Sequence, residues 1–221
     1  MRRVAAPLIL VPTSERVSPG GDAARGEPLD RALPGWRRGL WKASGAKPGR
    51  ALRPAYERYT GVVWEWLDAA SLGAVARRRL LASVVVVSPT HGLLAAGEPV
   101  GLDPLGYADR LADGTTVAAW WRTRLPPVLE ALAEGRVVWD LLPTDHAGVT
   151  RLAPRPRRYT LRVERAGRVV SYDSKAVKGA LVRHLLVTGD SSPSALRAFT
   201  HRGYAVVDGD DGGGLVRMVA T

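Results

Sequence analysis

The stretch Val84-Val-Val-Val-Ser-Pro-Thr-His-Gly-Leu-Leu94 decides the fold class. Four consecutive valines, apolar on both faces, suit a strand covered by helices on both sides, in a central parallel position. Pro89 and Gly92 close the run. In open α/β sheets the crevice beyond the strand C-termini is where ligands bind, so Ser88, Thr90 and His91 become candidate site residues.

Helical and extended segments alternate outward from that strand, as an α/β domain requires. Val4–Val11 reads as a buried strand ending in the polar turn Pro12-Thr-Ser14. Residues 18–54 are rich in Gly, Pro and Arg and predict a long irregular excursion with at most short helices. Within it, Trp36-Arg-Arg-Gly-Leu-Trp-Lys42 interleaves aromatics with bases, as a strand-stacking nucleic-acid surface would. The competing reading folds both tryptophans inward as anchors. Pro54–Leu67 has helical period, with Tyr56, Tyr59, Val63 and Leu67 inward, Glu57, Arg58 and Glu65 outward, and a break at Gly61. A second helix covers Leu72–Leu81, its Arg77-Arg-Arg79 run a solvated face. Thr115–Leu132 is helical, interrupted at Pro126-Pro127, and Arg136–Leu142 is the next strand, with Pro143-Thr-Asp-His146 as another polar tip.

Beyond a Pro/Arg linker at Arg151–Arg158, Tyr159–Arg165 and Arg168–Ser171 form a hairpin around Ala166-Gly167. A helix capped by Ser174 runs to about Leu186. Ser192-Pro193 opens another that stops before Gly203. Tyr204–Val207 then pairs with Leu215–Val219 across an Asp/Gly-rich loop. The expectation is one α/β domain over residues 1–221, a mixed central sheet flanked by helices.

The chain carries 32 Lys+Arg against 21 Asp+Glu, a formal net charge of +11, which favours an anionic partner, nucleic acid first and a nucleotide or phosphate ester second. It has no cysteine, which excludes disulfides, thiolate metal sites and a cysteine nucleophile, and fits a cytoplasmic location. The apolar start is interrupted by Pro7 and lacks a small-residue cleavage site, so it reads as a strand and not a leader. No stretch has the length of a membrane span. Walker-type phosphate loops, the glycine-rich dinucleotide fingerprint and a Gly-x-Ser-x-Gly elbow are all absent.

Lysine occurs only at 42, 47, 175 and 178, leaving 28 arginines among the 32 bases. Lys175 and Lys178 lie three apart at the start of the helix beginning near Ser174, where backbone N–H groups are also free. That combination suits a phosphate. In so arginine-biased a chain, two clustered lysines point to an amine and not merely a charge. If the strand ends are neighbours, Thr13, Ser14, Ser88, Thr90, His91, Thr144, Asp145 and His146 converge with Lys175, Lys178 and Arg183. Such a set binds phosphate or carries acid/base chemistry. His91, His146 and Asp145 would also make a two-His-one-carboxylate metal set, but no ligand spacing such as His-x-His is present, and no metal or other cofactor is expected. Adjacency alone does not make Asp145 and His146 a dyad, since neighbours on a strand face opposite ways.

Several landmarks, in order, resemble the YaaA family of bacterial peroxide-stress proteins (the DUF328 or UPF0246 group). The first strand ending in Pro12 resembles the family's I-L-I-S-P start, and Tyr59-Thr-Gly61 its V-Y-x-G-L stretch. Val87-Ser-Pro-Thr-His-Gly-Leu-Leu94 resembles L-S-G-L-Y-G-L-L, and Asp140-Leu-Leu-Pro-Thr-Asp-His146 resembles N-L-A-S-x-E-Y, with Asp145 at the glutamate. Lys175-Ala-Val-Lys-Gly-Ala-Leu-Val-Arg183 resembles K-K-A-R-G-x-M-x-R, with Lys178 in place of an arginine. Phe199-Thr-His-Arg-Gly-Tyr204 resembles F-x-x-x-G-Y. The match runs over nearly the whole chain. It departs at the S-P-A-K start, here Pro12-Thr-Ser-Glu-Arg16, and at L-R-P-L-D, here Ala95-Ala-Gly-Glu-Pro99, which marks a divergent member.

The resemblance implies a single α/β domain with a positively charged cleft, DNA binding, and a role in limiting oxidative damage. On that reading Lys175, Lys178, Arg183, Ser88, Thr90, Thr13 and Ser14 contact the phosphate backbone. The alternative is an enzyme acting on a nucleoside, nucleotide or other N-glycoside. Asp145 would then be the acid/base or cation-stabilising carboxylate, His91 a proton carrier, and Lys175 a phosphate clamp.

Overall fold

Leu8 and Leu10 bury into one layer of side chains, Ile9 and Val11 into another, so the first strand separates two cores. The computed structural model describes residues 5–21, 33, 35–49, 51–153, 157–208 and 214–220. Its elements begin with β1 (Leu8–Pro12), α1 (Trp36–Ser44), β2 (Arg53–Pro54), α2 (Ala55–Arg58), α3 (Val62–Leu67) and α4 (Ala74–Ser83). There follow β3 (Val84–Ser88), β4 (Gly92–Ala95), β5 (Pro99–Val100), α5 (Val117–Arg122), α6 (Leu125–Ala133), β6 (Val138–Asp140) and α7 (Thr144–Thr150). The chain continues with β7 (Arg158–Arg165), β8 (Arg168–Val169), α8 (Ser171–Thr188), β9 (Thr200–His201), β10 (Tyr204–Asp208) and β11 (Leu215–Ala220).

The main sheet has nine strands in the order β4-β3-β1-β6-β7-β11-β10-β9, with β8 beside β7; β2 and β5 pair separately. It is mixed: β1 is parallel to β3 and β6, and β7 to β6 and β11, whereas β3–β4, β7–β8, β10–β11 and β9–β10 are antiparallel. The predicted α/β fold with a mixed sheet between helices is therefore what forms. On one face α3, α4 and α8 pack on Ile9, Val11, Val84, Val86 and Trp139. On the other, α1, α5, α6 and α7 cover Leu8, Leu10, Val85, Val87 and Val138. The valine run is buried throughout because both faces are covered, but β1, not β3, lies between two parallel partners.

Gly179 sets how closely α8 approaches α3. A Cβ there would lie 2.2 Å from the Val63 carbonyl oxygen and 2.9 Å from Trp66 Cβ, so only glycine lets the two helices meet.

Several sequence readings are corrected. Pro89–His91 is a tight turn into β4, which folds back on β3 with Ser88 opposite Gly92, not an open strand tip. Pro143–His146 enters α7 instead of ending a strand. The long helix starts at Ser171; Ser174 is inside it, donating its N–H to the Val170 carbonyl at 2.9 Å. After Ser192, only a 3-10 turn, Pro193–Leu196, forms before β9. The break at Gly61 and the restart at Pro126-Pro127 both occur.

Arg58 is the largest reversal, because it is 1% exposed and not on a solvent face. Its guanidinium donates to the carbonyls of Ser18, Gly20, Ala51 and Val100, tying the start and end of the 18–54 excursion to β5. Arg37 does the same from α1, pairing with buried Glu98 and donating to the His91 and Leu93 carbonyls. Trp36 and Trp41 pack against the core, and Trp41 Nε1 donates to the Thr90 carbonyl at 2.9 Å, so the inward reading holds for both. In the Arg77–Arg79 run, Arg79 caps the C-terminal end of α8 through the Leu186 and Val187 carbonyls. Residues 1–4, the 22–32 part of the excursion, Pro34, the centre of the Pro/Arg linker at 154–156 and most of the Asp/Gly loop, including Gly212 and Gly213, lie outside the described residues.

Candidate functional site

At the C-terminal ends of β1 and β6, the start of α8 leaves a cleft of about 770 Å³. Its walls bring together Thr13, Ser14, Asp145, His146, Lys175 and Lys178. Parallel β1 and β6 are in register at Leu10 and Asp140, and β1 runs on to Pro12, so the residues that follow the two strands emerge at the same edge of the sheet.

Ser14 is held by its neighbours. Its Oγ accepts from the Gly61 and Thr60 backbone N–H groups at 3.0 and 3.2 Å and donates to the Arg16 carbonyl. A Cβ on Gly61 would sit 2.6 Å from Ser14 Cβ, which explains why the α2–α3 break carries glycine. Trp64 on α3 donates to the Pro12 carbonyl at 3.1 Å and closes this wall.

The opposite wall is the first turn of α7. There Asp145 and His146 lie on a helix and not at a strand tip, and they do pair: His146 Nδ1 is 3.2 Å from Asp145 Oδ1. Burial holds the His146 imidazole below its ordinary pKa despite the neighbouring carboxylate, so it is neutral at pH 7 and the contact assigns its proton to Nδ1. Partial burial, the largest single influence, pushes Asp145 up, but the side-chain hydrogen bond and electrostatics of His146 and the backbone N–H groups of Asp145 and His146 together outweigh it and leave the carboxyl below its ordinary pKa. The site therefore presents an oriented, ionised carboxylate. Behind it, the His146 ring meets Tyr107 edge-on at 4.8 Å, and the buried His146 Nε2 and Tyr107 hydroxyl have no hydrogen-bond partner among the described residues.

The third wall is α8. Lys175 is exposed at the mouth. Lys178 is half-buried one turn further on, its Nζ 3.4 Å from the Leu142 carbonyl oxygen. Desolvation lowers its pKa, opposed by the charge of Asp140. Asp140 itself is committed to Arg158 at 2.6 Å.

Four predicted site residues lie elsewhere. Arg183 donates to the Leu67 and Asp68 carbonyls at 3.1 and 2.9 Å, capping α3. Ser88 and Thr90 are fully buried and His91 is 5% exposed. Ser88 Oγ donates to Asp103 Oδ1 at 2.8 Å and accepts from the Thr90 and His91 backbone N–H groups. Thr90 Oγ1 accepts from Leu105 N at 3.1 Å. His91 Nε2 lies 3.5 Å from Asp103, whose other oxygen accepts from Tyr59 at 2.6 Å. Together these make an interior polar knot under the β3–β4 turn. No group of three His, Asp or Glu side chains among the described residues is placed to hold a metal ion.

Sequence reasoning missed Glu15, Arg16 and Trp64 in the walls, although Glu15 and Arg16 directly follow the flagged turn. Arg16 and Trp64 also border a neighbouring hollow of about 680 Å³ that holds Arg53 and Arg77 with Glu57, Glu65 and Asp68. No helix among the described residues is long and apolar enough to cross a membrane.

The chain matches the family model of the peroxide stress protein YaaA over residues 36–209. It is 35% identical over 161 residues to a UPF0246 protein of Streptomyces coelicolor, covering 70% of this chain and 62% of that one. A UPF0246 protein of Limosilactobacillus fermentum is 28% identical over 160 residues, covering 68% and 64%. The chain thus matches a little under two thirds of the length of these relatives. The ordered landmarks along the strands and α8, and a family match spanning most of the sequence, lead to one conclusion: the chain belongs to the YaaA family of peroxide stress proteins.

Proposed function

We propose that the protein binds DNA through its phosphate backbone in the service of peroxide-stress protection, and that the cleft between β1, α7 and α8 takes a phosphate. The observation that carries this is the placement of Lys175 and Lys178 in the first turns of α8, facing the polar strand ends. Ammonium groups beside a helix N-terminal end favour an anion. The +11 charge adds a long-range attraction for a polyanion. Such a protein works in the cytoplasm. Fluorescence anisotropy with a short labelled duplex across a salt series tests the reading. Affinity that rises steeply at low salt, and weakens in Lys175→Ala/Lys178→Ala, supports it. Absence of binding at low salt overturns it.

One feature favours a second reading, an enzyme acting on a nucleoside, nucleotide or other N-glycoside. The cleft has the volume of a small-molecule site, and it holds an ionised carboxylate oriented by a neutral imidazole. Asp145 would stabilise a developing glycosyl cation or act as base, with Lys175 as the phosphate clamp. Release of free base from a nucleoside or nucleotide panel, lost in Asp145→Asn, is the expected result on this reading.

A further inference from the structure

The cleft contains an amine that charge alone does not explain. Elsewhere in this chain, carbonyl groups at chain ends and turns are capped by arginine: Arg58, Arg79, Arg136 and Arg183 each donate to two or more backbone oxygens. Lys178 is the exception. Its one hydrogen bond, to the Leu142 carbonyl, is long at 3.4 Å, and no carboxylate among the described residues lies within ion-pair distance of its Nζ. The nearby Asp140 is held by Arg158. An arginine cannot lose its proton near neutral pH, whereas a desolvated lysine can, and then it is a nucleophile.

Around this amine the cleft supplies what a phosphorylated carbonyl compound needs. Lys175, exposed one turn earlier, offers a charge for a phosphate, and Asp145 stands ready as an ionised carboxylate. We propose that Lys178 captures the open-chain aldehyde of a sugar phosphate as an imine inside this cleft. The nitrogen lone pair forms the N–C bond to the aldehyde carbon, and the carbonyl oxygen takes up the electron pair. That oxygen leaves as water with one proton from the amine and one from the medium, and a protonated imine remains. No oxidant or reductant is consumed. Such an aldehyde has two sources, an abasic site in DNA or a free pentose phosphate. The first rests on the DNA reading above, and the second stands without it.

The test uses the full chain with two probes, a duplex carrying one abasic site and ribose 5-phosphate. Each mixture is reduced with cyanoborohydride, and the modified residue is located by peptide fragmentation. Only Lys42, Lys47, Lys175 and Lys178 compete, together with the α-amine, so the assignment is unambiguous. The expected result is an adduct on Lys178 with at least one probe, and total labelling reduced at least about tenfold in Lys178→Arg and Lys178→Met. Thermal melting of both Lys178 variants separates loss of the nucleophile from loss of the fold. An adduct with the abasic duplex alone identifies DNA as the source. An adduct with ribose 5-phosphate alone, in a protein that fails to bind undamaged duplex by anisotropy, keeps this inference and removes the DNA reading. No adduct with either probe, or labelling spread over Lys42, Lys47 and the α-amine and unchanged in Lys178→Met, overturns it.

Discussion

His91 and Arg58 show what burial does to a single polar residue. Desolvation pushes the His91 imidazole down to about 4, more strongly than the adjacent Asp103 pulls it up, with Arg37 adding to the downward push. A histidine with a lowered folded pKa binds fewer protons than its unfolded counterpart below about pH 6.5. Stability is therefore full above that pH and falls as pH drops toward 4, by about 3 kcal/mol at most. Urea unfolding at pH 7, 5.5 and 4.5 is expected to show this decline. His91→Gln should flatten it, leaving the shares from His146 and His201, which burial also pushes down. Arg58→Met keeps the hydrocarbon volume but takes the donor from one buried and three partly buried carbonyls, so a loss of about 3 kcal/mol is expected in denaturant titration. Helical periodicity turned Arg58 toward solvent, because a long charged side chain is normally exposed. Three of its four carbonyl partners come from segments about 40 residues away in the chain, which local pattern cannot reveal.

At the scale of elements, α8 is the piece on which the site depends. It packs along α3 through Gly179, is capped at its far end by Arg79, and turns Lys175 and Lys178 toward the strand ends. Gly179→Ala would place a methyl 2.2 Å from the Val63 carbonyl and force the helices apart. A loss of about 1–3 kcal/mol is expected by thermal or chemical unfolding, and with it a weakening of any ligand bound between Trp64 on α3 and Lys178 on α8. An unchanged midpoint would mean that α8 slides freely, contrary to its close packing. The strands and the broken Pro54–Leu67 and Thr115–Leu132 helices were readable because hydrophobic period, Gly and Pro act locally. β4 was not, because its strand character comes from pairing with β3.

For the whole molecule, the question is where the excess of positive charge meets a partner. If the cleft holds phosphate through both lysines, Lys175→Ala/Lys178→Ala is expected to lower the slope of log affinity against log salt by roughly 1–2, about 0.9 for each phosphate no longer neutralised. Anisotropy over about 50–200 mM salt, the range in which counterion release dominates the affinity, reads this directly. An unchanged slope would move the DNA surface to the arginines outside the cleft.

Propensity, period and turn chemistry are local, and they were enough for the α/β class, the first and third strands, the two broken helices at Pro54–Leu67 and Thr115–Leu132 and the pairing of the last two long strands. The sequence also singled out Thr13, Ser14, Asp145, His146, Lys175 and Lys178. Only the tertiary structure decided that these six share one cleft while Ser88, Thr90, His91 and Arg183 serve the interior and a helix cap. A strand end is polar whether it opens to a ligand or turns inward, and what closes over it is set by contacts far along the chain. The hairpin into β4 and the Asp103 knot seal one strand end, and parallel β1 and β6, emerging at the same sheet edge beside the start of α8, leave the other open.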